Sequence, residues 1–157
     1  EAAMSEPVRI HHVNLLVDNL APAVAFYRDV IGLPLDATPD QGFPSQFFRF
    51  GGGQQLHMNE VKDAHSHRGH FCVVVPDFMA VYRRAVAAGA LDVEVWGRIR
   101  RLANGKLQMF VRDPSGNLVE IASEPGAPLN RVELGATHFD ETIGDFTVTP
   151  GTRLGPQ

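Results

Sequence analysis

The chain has little cysteine, no long apolar stretch and no excess of positive charge. Its one cysteine among 157 residues, Cys72, excludes a disulfide within the chain and is typical of a reducing compartment. No apolar run approaches the roughly 20 residues that a membrane-spanning helix needs, and we recognise no signal-peptide pattern. These absences predict a cytoplasmic protein that does not insert into a membrane.

The charge balance argues against a nucleic-acid partner. There are 14 lysines and arginines against 18 aspartates and glutamates, which gives a formal net charge of -4, and no basic run is present. Hydrophobic residues make up 44% of the chain and charged residues 20%, as in ordinary globular proteins. The length is sufficient for one compact domain with its own core.

An internal repeat spans most of the chain. The segment from His12 to Gly32 is matched by the segment from His70 to Gly89, each with a strand-like start and a helix-like continuation. The ends of the two halves also match, since Arg49, Gly53, Leu56 and His57 keep one offset from Arg112, Gly116, Val119 and Glu120. A fixed offset of this kind indicates a repeated structural unit. The repeat pairs His12 with His70 at the start of the two halves, and His57 with Glu120 at their ends.

Each half predicts the element order β-α-β-β-β. Hydrophobic alternation and turn residues predict strands at 10–17, about 34–38, 46–50 and 54–59, and again at 70–75, near 92–99, 106–112 and 117–122. Helical spacing predicts one helix over 21–31, capped by Asp18 or Asn19, and a second from Asp77 to near Gly89. We therefore expect an α+β protein with one domain over residues 8–123, built of modules at about 8–61 and 68–123.

Residues 124–157 differ in composition from the repeat, being rich in Gly, Pro and Thr. One strand-like patch runs from Asp145 to Thr149. The segment could be a loose tail or an arm that packs on a partner subunit, and we expect a partly ordered arm.

The two faces of the predicted strands differ in polarity. Because strand side chains alternate, one face collects apolar residues that can pack under the helices. The other face collects His12, Asn14, Gln55, His57, Asn59, His70, Cys72, Gln108 and Glu120. Burying such groups without partners costs about 1–3 kcal/mol each. We therefore expect this face either to contact solvent or to bind a ligand. A curved sheet with a polar concave face forms a cavity for a metal and a small ligand.

Imidazole and carboxylate groups are the natural ligands of divalent transition metals, and two histidines with one carboxylate form a common triad. His12, His70 and Glu120 supply this set, and His57 would be a fourth ligand. A lone histidine on a strand is usually a hydrogen-bonded structural residue, but four candidates at equivalent positions favour a metal site. Its substrate pocket would be lined by residues of the same face, which we expect to be Asn14, Phe47, Arg49, Cys72 and Gln108.

Several motifs extend over residues 8–123 and occur together in one known group of proteins. They are Ile10-His11-His12-Val13 with Phe26-Tyr27 and Gly32-Leu33, then Leu56-His57-Met58, Gly69-His70-Phe71, and Asp113-Pro114-Ser115-Gly116-Asn117-Leu118-Val119-Glu120-Ile121. In these motifs the chain resembles the vicinal oxygen chelate superfamily, which is also called the glyoxalase, bleomycin resistance and dioxygenase superfamily. The resemblance implies two tandem β-α-β-β-β modules that form a cupped mixed sheet around a central cavity. It also implies a divalent metal on His12, His57, His70 and Glu120, and a homodimer.

Departures from the subfamily patterns bear on the substrate. Glyoxalase I usually has a carboxylate or amide where His57 stands, an arginine at the position of Leu16 and an asparagine at the position of Val61. The ring-cleaving dioxygenase pattern has a tyrosine where this chain has Phe110. Neither glutathione recognition nor aromatic ring cleavage is therefore predicted by the residues at these positions.

The resemblance and the candidate ligands together favour a metal-dependent glyoxalase-like isomerase or lyase. The metal (Ni, Co, Zn, Fe or Mn) would polarise a carbonyl of a small substrate chelated through adjacent oxygens. Glu120 or a neutral His57 would move a proton on the neighbouring carbon. Two alternatives stay open: an Fe(II) or Mn(II) dioxygenase in which His57 is an acid or base, and a protein that sequesters a small molecule such as an antibiotic.

Overall fold

A computed structural model describes residues 10–62 and 69–142. The first module contains β1 (His12–Val17), α1 (Leu20–Ala25), β2 (Leu35–Asp36), β3 (Ser45–Arg49) and β4 (Gln55–Glu60). The second contains β5 (His70–Val74), α2 (Phe78–Ala87), β6 (Leu91–Asp92), β7 (Arg100–Arg101), β8 (Leu107–Arg112) and β9 (Leu118–Ala122). A third helix, α3 (Arg131–His138), follows the second module. The predicted repeat of β-α-β-β-β is confirmed.

The strands form two mixed sheets, one in each module. The first has the order β1-β4-β3-β2, and the second has the order β5-β9-β8-β6 with β7 also paired to β8. In both modules the first strand lies parallel to the last, and the remaining pairs are antiparallel. The register repeats as well, since Phe47 lies opposite His57 in the first sheet and Phe110 lies opposite Glu120 in the second. In the described part of the chain, β1 and β5 are edge strands, each paired on one side only.

The first helical segment is longer and less regular than a single α-helix. After α1, residues Phe26–Ile31 continue with π-type hydrogen bonds, and Gly32 ends the segment at a φ of 89°. A left-handed conformation at this position favours glycine because it has no Cβ. The predicted side-chain cap by Asp18 or Asn19 is wrong. Asn19 occupies the N-cap position without a side-chain hydrogen bond, and Glu60 Oε2 accepts a bond from the backbone N–H of Leu20 instead.

Other predicted boundaries hold to within a few residues, with one exception. The helix expected after Asp77 is α2, and the Asp77 carboxylate caps it by accepting a hydrogen bond from Ala80 N. The strand predicted near 92–99 is wrong, because in residues 91–101 pairing with β8 is confined to Leu91–Asp92 and Arg100–Arg101. Between them the Asp92 carboxylate accepts bonds from the N–H groups of Glu94 and Val95, which bends the chain into a loop.

One apolar core joins the two modules. The predicted core face of the strands is confirmed, because these side chains, including Val17, Leu56, Met58, Met109 and Ile121, are buried in a single cluster with residues of both helical segments. Across the modules, Arg84 Nε donates to Val30 O, and the Tyr27 hydroxyl donates to Asp113 Oδ2 at 3.0 Å. Because both apolar faces belong to this shared core, the polar faces of the two sheets lie on its outside.

The described part of the C-terminal segment packs on its own chain. Leu134 and Phe139 are buried in the core, Arg83 pairs with Glu133, and the hydroxyl of Tyr82 lies 2.8 Å from His138 Nδ1. Within the described residues, α3 of this segment is therefore a helix that packs on its own chain. The strand-like patch Asp145 to Thr149 lies outside the described residues. No helix in the described ranges is long and apolar enough to cross a membrane.

Candidate metal centre

The first module brings His12 and His57 together in a stack of three rings. The imidazole of His57 lies between Phe47, with a ring-centroid distance of 3.6 Å and an interplanar angle of 5°, and His12, at 4.1 Å and 13°. This follows from the sheet, because Phe47 is the cross-strand neighbour of His57 and β1 pairs with β4 on the other side. Phe47, predicted as a pocket residue, therefore lies against the site.

Two polar residues orient the His57 ring. Gln55 Oε1 lies 3.0 Å from His57 Nε2, and Gln55 Nε2 donates to Asp36 Oδ2 at 2.9 Å. His12 Nδ1 lies 2.9 Å from His11 Nδ1 on the exposed side. Burial lowers the pKa of His57, and the neighbouring His12 and His11 lower this pKa further. His57 is thereby kept neutral at physiological pH.

The second module brings His70 and Glu120 together at a distance that fits a shared metal. His70 Nε2 lies 3.2 Å from Glu120 Oε2. Two ligand atoms at about 2.0–2.2 Å from one ion, at the angles of tetrahedral or octahedral sites, lie about 3.0–3.5 Å apart. The pair is therefore spaced as two ligands of one ion.

The other carboxylate oxygen of Glu120 is held by an amide. Gln108 Nε2 donates to Glu120 Oε1 at 2.7 Å, and Arg100 Nε donates to Gln108 Oε1 at 3.2 Å. The arginine fixes the orientation of the glutamine, since a guanidinium can only donate. Gln108, predicted as a pocket residue, is buried and orients the candidate ligand. Such support usually decides the direction in which a ligating carboxylate points.

Two aromatic side chains contact the ring of His70. The rings of Trp96 and Phe110 stack at a centroid distance of 6.2 Å, and both meet the His70 ring edge to face. Phe110 is the cross-strand neighbour of Glu120, so its place could have been inferred from the repeat. Trp96 lies in the loop before β7, and neither its spacing nor its context in the sequence indicated this role.

Cys72 lies beside Glu120 in the register of β5 and β9, on the polar face as predicted. Partial loss of hydration and the nearby Glu120 carboxylate raise the pKa of the Cys72 thiol to about 11. The thiol is thus protonated and weakly nucleophilic at neutral pH. Cys72 lines the cleft between the two sheets, and its protonated thiol is poorly suited to act as a nucleophile.

The two pairs of candidate ligands are not brought together within one chain. In residues 10–62 and 69–142, no group of three or more His, Cys, Asp and Glu side chains is placed to hold a metal ion. The first module contributes His12 with His57 and the second contributes His70 with Glu120. The described residues of a single chain therefore do not form one site from these four side chains.

A large cleft separates the edges of the two sheets. Its volume is about 860 Å³, and it runs between the start of β1 and the end of β5. Arg49, another predicted pocket residue, lines this cleft with Gln55 and Cys72 rather than contacting a candidate ligand. Asn14 is exposed on β1, next to His57 in the register. Apolar side chains open to solvent at the cleft include Ile10 and Val74, which are 66% and 49% exposed.

Comparison with known proteins agrees with this architecture. The sequence-family model of the Glyoxalase/Bleomycin resistance protein/Dioxygenase superfamily matches residues 9–121. The chain belongs to this superfamily. It is 27% identical over 146 residues to metallothiol transferase FosB from Shouchella clausii (strain KSM-K16), covering 88% of this chain and 92% of that protein.

Solved structures support the fold. Lactoylglutathione lyase from Agrobacterium tumefaciens is 28% identical, with a TM-score of 0.55 over 74% of this chain and 94% of its own. The fosfomycin resistance protein FosX from Listeria monocytogenes is 15% identical, with a TM-score of 0.60 over 77% of this chain and 97% of its own. At this identity, the similarity to FosX supports the fold alone. The superfamily resemblance and the α+β fold inferred from the sequence are both confirmed.

Proposed function

We propose that the protein is a divalent-metal-dependent enzyme of the glyoxalase type whose metal site forms between two copies of the chain. The observation that carries the proposal is the division of the candidate ligands into two pairs on two separate polar faces. Both faces lie outside the shared core, so they cannot close on each other without breaking that core. In a dimer, the second module of one copy can lie against the first module of the other copy. One ligand pair from each copy would then face a shared cavity.

The edge strands support an assembly of this kind. In the described residues, β1 and β5 each have a strand neighbour on one side only and border an apolar cleft, and exposed strand edges of this kind tend to associate. A two-fold dimer would build two equivalent sites, because each chain contributes one pair to each site. His12 from one copy would join His70 and Glu120 from the other.

The residues present suit Lewis-acid chemistry on a small oxygen-rich substrate. A bound divalent ion supplies polarisation of a substrate oxygen. Gln108 holds Glu120 Oε1, which leaves Glu120 Oε2 beside His70 Nε2. Glu120 or the neutral His57 can move a proton between two adjacent carbons, and Trp96 and Phe110 restrict water on the side of His70.

Isomerase or lyase activity on a substrate chelated through adjacent oxygens is the preferred reaction. Its support is the likeness to a lactoylglutathione lyase. A second candidate is transfer of a thiol to a small oxygen-rich electrophile, which the metallothiol transferase relative favours. The dioxygenase and sequestering alternatives rest on the family name, with no further observation in the site.

Metal titration of the purified protein tests the proposal. We expect one equivalent of Ni, Co, Zn, Fe or Mn per chain, and Glu120→Gln should weaken binding by at least about 10-fold and abolish turnover. Glu124→Gln is the matched control, because Glu124 is an exposed glutamate four residues further along. Equal metal affinity in the two variants would place the metal elsewhere.

Substrate trials under nitrogen separate the two reactions. The metal-loaded protein is offered a hemithioacetal of methylglyoxal in one series and fosfomycin with a thiol in another. Isomerisation in the first series supports a glyoxalase-type activity, and consumption of the thiol in the second supports a transferase. Turnover that requires oxygen with a catechol would contradict both.

A further inference from the structure

The position of His57 suggests a role other than the one that its place in the repeat implies. It is the counterpart of Glu120, so the simplest expectation makes it a metal ligand. One feature of its surroundings opposes this, the direction of its ring plane. A second feature, the hydrogen-bond partner of its Nε2 atom, determines which ring nitrogen can accept a hydrogen bond.

The ring plane of His57 cannot share an ion with that of His12 in this arrangement. An imidazole binds a metal through a lone pair that lies in its ring plane. The two rings are stacked with centroids 4.1 Å apart and planes tilted by 13°. Planes so nearly parallel meet only on the order of 10 Å away, whereas imidazole–metal bonds are about 2.0–2.1 Å long. Phe47, stacked at 3.6 Å on the opposite side, opposes rotation of the His57 ring.

The partner of Nε2 determines which tautomer the ring adopts. The carboxylate of Asp36 can only accept, and hydrogen bonding from Gln55 lowers the pKa of Asp36 and keeps it ionised. Gln55 must therefore turn its amide nitrogen toward Asp36 and its oxygen toward His57. An amide oxygen only accepts, so His57 Nε2 carries the proton. This leaves Nδ1 as the acceptor atom of the ring.

We infer that His57 is not a metal ligand but is held by Asp36 and Gln55 as the Nε2–H tautomer, so that Nδ1 accepts a hydrogen bond from the substrate. This inference rests on the proposed function for the presence of a metal and a substrate. The ion is then held by His12, His70 and Glu120. His57 discriminates in favour of substrates that carry an O–H, N–H or S–H group next to the chelating oxygens.

The tautomer can be measured without any metal. Nitrogen-15 spectra of the imidazole rings in the metal-free wild-type protein should show His57 protonated at Nε2 and unprotonated at Nδ1. Gln55→Leu should convert His57 to a mixture of tautomers, whereas Gln54→Leu should not, because Gln54 donates to Ile10 O instead. A His57 ring protonated at Nδ1 in the wild type would overturn the inference.

Metal affinity provides the second readout. His12→Ala should reduce the affinity for Co(II) by at least about 100-fold, whereas His57→Ala should change it by less than about 10-fold and keep one equivalent per site. X-ray absorption of the Co(II)-loaded wild type should count two imidazole ligands. A count of three, or equal losses in the two variants, would show that His57 coordinates. Absence of metal from the wild type would contradict the proposed function alone, because the tautomer of His57 is measured in the metal-free protein.

Discussion

At the scale of single residues, the candidate ligands are distinguished by their neighbours. Glu120 and His57 occupy equivalent places in the repeat, yet Gln108 donates to Glu120 while Gln55 accepts from His57. The difference comes from the charged residue behind each glutamine, Arg100 in one module and Asp36 in the other. Strand parity in the sequence predicts that both residues lie on the polar face of their strands. It does not predict the direction of each amide, because that depends on residues brought in from other strands.

Cys72 provides a pH-dependent prediction at this scale. With a pKa of about 11 against an ordinary value of 9.0, its thiolate fraction at pH 8 should be about 100-fold below that of an unperturbed thiol. Alkylation by iodoacetamide in the metal-free folded protein should be slower than in urea by roughly 10- to 100-fold, because the thiolate of higher pKa is also the more nucleophilic one. The unfolded chain is a matched control, because Cys72 is its one cysteine.

The pH profile of this reaction distinguishes the cause. The rate in the folded protein should continue to rise up to about pH 11, whereas in the unfolded protein it should level off near pH 9. Since the folded state favours the neutral thiol, this group's contribution to stability is complete below pH 9 and is lost as the pH rises toward 11. Levelling near pH 9 in the folded state would contradict the assigned environment.

At the scale of elements, the two helices after the first strands are capped in different ways. Asp77 caps α2 through its own side chain, while the start of α1 is satisfied by Glu60, 40 residues along the chain. The first is a local signal that can be read from the sequence. The second requires the parallel pairing of β1 and β4, which brings Glu60 next to Val17. Local patterns therefore predicted one cap correctly and missed the other.

The caps lead to a stability prediction. Asp77→Ala should lower the free energy of unfolding by about 1 kcal/mol, because Ala80 N loses its acceptor. Asn19→Ala should change it by only a few tenths of a kcal/mol, since Asn19 makes no side-chain bond at its helix. Urea denaturation of both variants measures the difference. A loss for Asn19→Ala as large as that for Asp77→Ala would mean that the assigned caps are wrong.

At the scale of the whole molecule, the proposed site requires two copies of the chain. His12→Ala and Glu120→Gln should each bind no metal tightly as homodimers. When the two variants are unfolded together and refolded, each mixed dimer should contain one site with both changes and one intact site. Random pairing makes about half of the dimers mixed, so metal binding should recover to about a quarter of the wild-type amount.

Mixing gives opposite results for the two possible architectures. If the site closed within one chain, every chain in the mixture would carry a defect and no binding would return. A second mixture, of His12→Ala with His57→Ala, is not informative about this point because His57 is not expected to bind the metal. The informative control is His70→Ala with Glu120→Gln, whose changes fall in the same module and should not complement each other.

The sequence by itself determined the repeat, the alternation of faces and the chemical types of the candidate ligands. These features are local or periodic, so His12, His57, His70 and Glu120 could be predicted to lie on the polar face of their strands without knowledge of the fold. Only the tertiary structure decided that these residues form two pairs rather than one cluster. The reason is that the apolar faces of both modules are buried in one shared core, and this long-range packing leaves the two polar faces directed away from it.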